Sequence, residues 1–116
     1  PSTIDSEDIR EILEKIKAYG NVSEDAEISI EANPGTVTEE KIRLWKHAGI
    51  NRISFGLQSA DDEELQLLGR IHTFEKFVKT YEKARNAGFA NINIDLMSGI
   101  PYQTAETLAN IQRISV

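Results

Sequence analysis

Short apolar runs of strand length alternate along this chain with longer stretches of helical periodicity, and each run ends on a polar side chain. The runs are Ile28-Ser29-Ile30-Glu31, Ile53-Ser54-Phe55-Gly56-Leu57-Gln58 and Ile92-Asn93-Ile94-Asp95. Strict strand–helix alternation constrains the fold strongly, because parallel neighbours need a crossover of a dozen or more residues, usually a helix. It predicts an α/β layer of about three parallel strands with flanking helices and right-handed crossovers. Glu31, Gln58 and Asp95 are then expected side by side at the carboxyl edge of one sheet. In parallel α/β folds that edge binds ligands, since the loops leaving it vary while the sheet holds them rigid.

The boundaries follow from capping chemistry. Asp5 or Ser6 caps a first helix that Gly20 stops, with Ile9, Ile12, Leu13 and Ile16 forming one apolar stripe. A strand over Glu27 to Glu31 leads into the Asn33-Pro34-Gly35 turn. Thr38 caps a second helix, which Gly49 closes before a strand over Arg52 to Leu57. Asp61 and Glu64 have the spacing of a capping box at the start of a short helix ending near Gly69. Thr73 caps a longer helix running to Gly88, followed by a strand over Asn91 to Leu96. Gly99-Ile100-Pro101 turns the chain, and Thr104 opens a final helix that Ser115-Val116 cuts off.

One junction is written twice. Ala48-Gly49-Ile50, Ile53 and Leu57 recur as Ala87-Gly88-Phe89, Ile92 and Leu96 at an offset of 39 residues. A repeating (β/α) architecture produces this, because each unit needs the same helix stop before each strand. Parallel strands buried on both faces need more sheet than three strands supply. The chain therefore reads as a partial (β/α) TIM-like barrel segment, 1–116 forming a single piece of it, with a self-contained small domain as the alternative. Open sheet edges and uncovered apolar helix faces in such a segment favour self-association.

Composition excludes several functions. With 13 basic and 19 acidic residues the net charge is −6, so no basic stripe exists to displace counterions from nucleic acid. No apolar run approaches the roughly 18 residues a bilayer span needs. A cytoplasmic location is the expectation. Cysteine is absent, which removes disulfides and any cysteine-held iron–sulfur or zinc site within this sequence. His47 and His72 are too few for an all-histidine metal site.

Two acceptor-only carboxylates and an amide at one rim suit a polyhydroxylated or cationic ligand. Arg70 adds a guanidinium able to grip a ligand carboxylate in bidentate fashion, although a helix-terminal surface arginine reads the same locally. Each strand-end residue alone could instead cap a loop amide. His72 reads as structural, Asn33-Pro34-Gly35 as a turn shaping the rim, and Met97 and Trp45 as core.

Four motifs then appear in order: Ser29-Ile30-Glu31-Ala32-Asn33-Pro34-Gly35-Thr36, Asn51-Arg52-Ile53-Ser54-Phe55-Gly56-Leu57-Gln58-Ser59, Leu67-Leu68-Gly69-Arg70-Ile71-His72, and Asn93 through Thr104. Together they cover nearly the whole chain. They resemble the radical S-adenosylmethionine proteins of the oxygen-independent coproporphyrinogen III oxidase family. The resemblance implies a partial (β/α) barrel. It also implies S-adenosylmethionine contacts at Glu31, Gln58, Arg70 and Asp95. Arg70 would hold the methionine carboxylate, Gln58 and Asp95 the ribose hydroxyls, and Glu31 the cationic methionine end.

The family's chemistry further implies a [4Fe–4S] cluster on a Cys-x-x-x-Cys-x-x-Cys loop, and this sequence has no cysteine. Pro1-Ser2 resembles the tail of the family's Gly-Gly-x-Thr-Pro segment, which places the cluster loop before it and a C-terminal domain after it, in a longer parent. By this resemblance the parent makes a 5′-deoxyadenosyl radical for porphyrinogen decarboxylation, or belongs to the branch that binds and delivers heme. Gly69-Arg70-Ile71-His72 looks more like the heme-chaperone branch. The segment alone would be catalytically inactive. A non-enzymatic α/β interaction module, with its strand-end polars as loop caps, is the competing reading.

Overall fold

The computed structural model describes residues 1–112. The element order is α1 (Ser6–Tyr19), β1 (Ser29–Ala32), α2 (Glu39–Ala48), β2 (Arg52–Gln58), α3 (Asp62–Leu67), α4 (Phe74–Asn86), β3 (Asn91–Leu96) and α5 (Ala105–Gln112). The strands form one parallel sheet in the order β1-β2-β3. The expected α/β segment with three parallel strands is therefore the observed one. Among the described residues no helix is long and apolar enough to cross a membrane.

The caps explain where the helices start. Asp5 accepts from the Glu7 amide at 3.0 Å, Thr38 from Lys41 at 3.2 Å, Thr73 from Lys76 at 3.2 Å and Thr104 from Thr107 at 3.2 Å. Each satisfies an amide that the first helical turn leaves without a partner, worth about 1 kcal/mol. The expected end of α5 lies outside the described residues. Gly49 and Gly88 close α2 and α4 with φ of 100° and 92°. At both places the next residue, Ile50 or Phe89, turns inward and donates its amide five residues back, to Trp45 or Ala84. The doubled junction in the sequence is thus one helix-stop geometry built twice.

The same offset of 39 residues is the strand register. Arg52 pairs with Asn91, Ile53 with Ile92, Ser54 with Asn93, Phe55 with Ile94 and Gly56 with Asp95. The match breaks at a bulge between Gly56 and Gln58, after which Gln58 rather than Leu57 opposes Leu96.

Alternation along β2 separates two faces. Ile53, Phe55 and Leu57 are fully buried in a core with Ile30, Ala32, Trp45, Phe77 and Phe89. Phe55 meets Phe77 of α4 edge to face, with centroids 6.1 Å apart. Trp45 is core as expected, its indole nitrogen without a hydrogen-bond partner among the described residues. Met97, expected in the core, is 40% exposed, because β3 ends at Leu96 and the chain turns outward beyond the last ladder pair.

Candidate functional site

The opposite face of the sheet is polar. Glu31, Ser54 and Asn93 occupy one row across the three strands, and Gly56 and Asp95 the next row. Glu31, Gln58 and Asp95 therefore do not stand in register, as the strand-end pattern suggested. They climb as a staircase: Asp95 lies a rung above Glu31, and Gln58 lies beyond the bulge. The error came from counting strand ends, whereas β1 runs one residue past Glu31 and β3 one past Asp95.

The staircase still converges. Glu31, Gln58, Arg70 and Asp95 line one cavity of about 320 Å³, together with Pro1, Ser2, Ala32, Asn33, Ser54 and Gly56. All four expected ligand contacts thus reach one site, at the carboxyl edge. Arg70 enters from the loop after α3, so its proximity to Asp95 is purely tertiary.

Local contacts and backbone geometry account for the placing of Asp95 and Gln58. Both oxygens of Asp95 are engaged: Ser54 Oγ donates to Oδ2 at 2.8 Å and Asn93 Nδ2 to Oδ1 at 2.8 Å. Asn93 also donates to Ser54 Oγ at 3.0 Å, closing a triangle across β2 and β3. This fixes the carboxylate plane while leaving further lone pairs toward the cavity. Gln58 adopts φ of 76°, a left-handed conformation uncommon for a side chain of this size. Such conformations persist where the surroundings over-determine them, and they cluster at ligand sites. Gly56 lies beneath it: a Cβ there would meet Gln58 Nε2 at 3.1 Å and Arg70 Nη1 at 4.0 Å. The missing side chain thus makes room for the amide and the guanidinium together. No carboxylate among the described residues pairs with Arg70.

His72 explains how the bulge is held. Leu57, the residue without a ladder partner, presents its carbonyl to His72 Nε2 at 3.3 Å. The other ring nitrogen lies 3.1 Å from Asn33 Oδ1, which also accepts from the Gly35 amide at 2.9 Å. A buried histidine thereby ties the β1–α2 turn to the bulge, bearing out its structural reading and the turn's role at the rim. Burial pushes the ring's pKa below its usual value; the Leu57 carbonyl opposes this, while Arg70 and Lys76 reinforce it. The two flanking acceptors favour the imidazolium, but desolvation and two nearby cations outweigh them.

Sequence reasoning missed Ser2, Ser54, Gly56, Asn93 and Glu64. Ser2 is buried and accepts from the Asn33 amide at 3.1 Å and from Thr36 Oγ1 at 2.8 Å, so the start of the chain forms one cavity wall. Ser54, Gly56, Asn93 and Asp95 were readable from the repeat offset, which pairs them directly. Glu64 was expected to complete a capping box. Asp61 does cap α3, accepting from Glu63 and Glu64, but its own amide donates to Ser59 Oγ at 3.0 Å. The Glu64 side chain turns inward instead, because Ser59, Gln103 and Thr107 offer it three donors.

As for metals, no group of histidine, cysteine, aspartate or glutamate among the described residues could hold an ion. The donor set suits a small zwitterionic ligand bearing hydroxyls. One guanidinium, one amide and two carboxylates can take a carboxylate, hydroxyls and an ammonium at once.

A model of the Radical SAM superfamily matches residues 2–113. The heme chaperone HemW of Bacillus subtilis is 38% identical over 93% of this chain and 29% of its own length. The heme chaperone HemW of Haemophilus influenzae is 42% identical over 91% of this chain and 28% of its own. The oxygen-independent coproporphyrinogen III oxidase of Bradyrhizobium diazoefficiens is 32% identical over 100% of this chain and 26% of its own. The solved coproporphyrinogen III oxidase of Escherichia coli, a radical SAM enzyme, superposes with a TM-score of 0.90 at 30% identity, covering 98% of this chain and 26% of that one. The chain thus spans less than a third of the length of these relatives.

Proposed function

The chain belongs to the Radical SAM superfamily, and from that premise we propose that its carboxyl-edge cavity binds S-adenosylmethionine within a protein of heme metabolism. The observation that carries the reading is the convergence of Arg70, Gln58, Asp95 and Glu31 on one cavity of about 320 Å³. That size sits at the small end of ligand pockets, as suits a site whose remaining wall comes from elsewhere. Arg70 takes the methionine carboxylate, since its fork fits that group and no protein carboxylate competes for it among the described residues. Asp95, with its plane fixed by Ser54 and Asn93, and Gln58 accept from the ribose hydroxyls. Glu31 faces the methionine ammonium. Bound there, the cofactor would supply a sulfonium able to accept an electron, while Arg70, Gln58, Asp95 and Glu31 would hold and orient it.

The residues present do not fit the iron–sulfur cluster that would supply the electron, since the sequence has no cysteine. In this proposal the cluster ligands lie on sequence outside these 116 residues, and the chain by itself is inactive. Identities of 38% and 42% with proteins named heme chaperone, against 32% with a named oxidase, favour the heme-chaperone branch over porphyrinogen decarboxylation. The self-contained interaction module loses support, because the family model spans nearly the whole chain.

Titration calorimetry with S-adenosylmethionine tests the site. The chain alone should bind weakly, the full-length protein in the micromolar range, and Arg70→Ala or Asp95→Ala should weaken the latter at least tenfold, about 1.4 kcal/mol. Tight binding unchanged by both substitutions would remove these residues from the site. The chain should also self-associate through the open edges of β1 and β3. Light scattering from a clean monomer at high concentration would contradict that.

A further inference from the structure

Glu64 is a carboxylate with 5% exposure, and it touches neither the cavity nor any cation among the described residues. A buried charge with no counter-ion is costly, so its surroundings must repay it in hydrogen bonds. They do. Oε2 accepts from Ser59 Oγ at 2.6 Å and from Gln103 Nε2 at 3.1 Å, while Oε1 accepts from Thr107 Oγ1 at 2.7 Å. Burial pushes this carboxyl's pKa up, but the donors Ser59, Thr107 and Gln103 outweigh it and hold it below the usual value. Three donors directed at its two oxygens suit the carboxylate form.

The three donors come from different places. Ser59 immediately follows the left-handed Gln58. Gln103 lies on the loop between β3 and α5, and Thr107 on the first turn of α5. Gln103 carries the link onward, because its Oε1 accepts from the Gly99 amide at 2.8 Å. Next to this bridge the Met97 amide donates to the Gln58 carbonyl at 2.9 Å, a backbone suture between the end of β2 and the exit from β3. Glu64 thus grips the chain on both sides of that suture, one residue beyond Gln58 and at the far end of the loop that follows Asp95.

We propose that Glu64 is a positioning residue for the ligand cavity: its carboxylate clamps the β3–α5 loop to the end of β2 and so fixes the spacing of Gln58 and Asp95. This rests on the S-adenosylmethionine reading of that cavity. Glu64 acts through Ser59 and Gln103 and does not contact the ligand. The clamp is one of hydrogen-bond acceptance rather than net charge. An amide at position 64 keeps one carbonyl oxygen to accept from Ser59 and Gln103, and the Thr107 hydroxyl can rotate to accept from its NH₂.

The test uses the full-length protein with two readouts: affinity for S-adenosylmethionine, and hydrogen exchange of the Met97 and Gly99 amides. Glu64→Leu should weaken binding at least fivefold and speed exchange at both amides more than tenfold. Glu64→Gln should change affinity less than twofold and leave exchange slow. Gln103→Leu, which cuts only the link to the loop, should reproduce the loosening and keeps the test open if Glu64→Leu fails to fold. Phe77→Leu, which destabilises the far side of the sheet, should leave affinity intact in the folded fraction and so separates positioning from stability. Wild-type affinity and exchange in both Glu64→Leu and Gln103→Leu would overturn the clamp. A loss in Glu64→Gln equal to that in Glu64→Leu would overturn it too, since charge would then be what matters. Failure of the unaltered protein to bind S-adenosylmethionine would instead overturn the cavity reading, and this inference with it.

Discussion

On one face of the sheet Ile53, Phe55 and Leu57 are completely buried; on the other, made from alternate residues of the same strands, Glu31 and Asp95 stand open to solvent. The first face is dry and packed on α4, with Phe55 against Phe77. The second is a polar ladder whose members hydrogen-bond to one another, Ser54 and Asn93 to Asp95. An ordinary TIM-barrel interior is filled by branched apolar side chains in layers. Here the corresponding rows are serine, asparagine, glycine and carboxylate, so this face gains little from burial and is left free for a ligand. The difference teaches that packing and polar chemistry are written on alternate residues, so stability and the proposed binding should be separable by mutation.

The largest effect belongs to the dry face. Phe55→Ala should lower unfolding stability by about 3–5 kcal/mol in urea titration, since it opens a cavity in the core. A loss below about 1 kcal/mol would mean that this face is not the core that the packing indicates. On the polar face the weights reverse. Asp95→Ala should cost about 1 kcal/mol of stability, the price of leaving Ser54 and Asn93 without their acceptor, while cofactor affinity falls at least tenfold. Equal losses in both measures would collapse the distinction between the faces.

Acidification reports on the carboxyl end, where the two faces meet. His72 has a pKa below its usual 6.5 and Glu64 one below its usual 4.5. In both cases the unfolded chain binds protons that the folded chain refuses, so stability rises with pH across each interval. Stability should therefore decline from just below pH 6.5 as the unfolded histidine protonates, and further below about 4.5 from Glu64. In His72→Gln the upper phase should vanish and the lower remain. A flat profile down to pH 5 in the unaltered protein would contradict the burial of that ring. The smallest effect is expected for Ser54→Ala, in the polar row between Glu31 and Asn93. It frees Asp95 Oδ2, for a stability change under about 1 kcal/mol and an affinity loss of a few fold.

Much of this was readable from the chain. Thr38, Thr73 and Gly49 announced their helix ends because capping is a local matter of one side chain and two or three amides. The 39-residue offset between Gly49-Ile50 and Gly88-Phe89 held more than a fold class, since the same offset is the pairing register that joins Ser54 to Asn93 and Gly56 to Asp95. Glu31, Gln58, Arg70 and Asp95 were singled out from the sequence individually, and they line one cavity. Their arrangement was not. The bulge at Gly56 and Gln58 shifts the register by one residue, and no local pattern marks a bulge held by a histidine carbonyl bond from fifteen residues away. Glu64 was misread for a related reason: a capping box and a buried anchor share the same local spacing, and only distant donors choose between them.

The sequence by itself determined the alternation of strands and helices, the stops between them and the division of each strand into apolar and polar positions, because these depend on neighbours a few residues apart. Only the tertiary structure decided which polar groups meet. Arg70 comes from the loop after α3 to stand over Gly56, and Ser59, Gln103 and Thr107 converge on Glu64. Such meetings depend on how strands are spaced and loops return, and a buried charge or a free guanidinium takes its meaning from whatever donors and acceptors the fold brings to it.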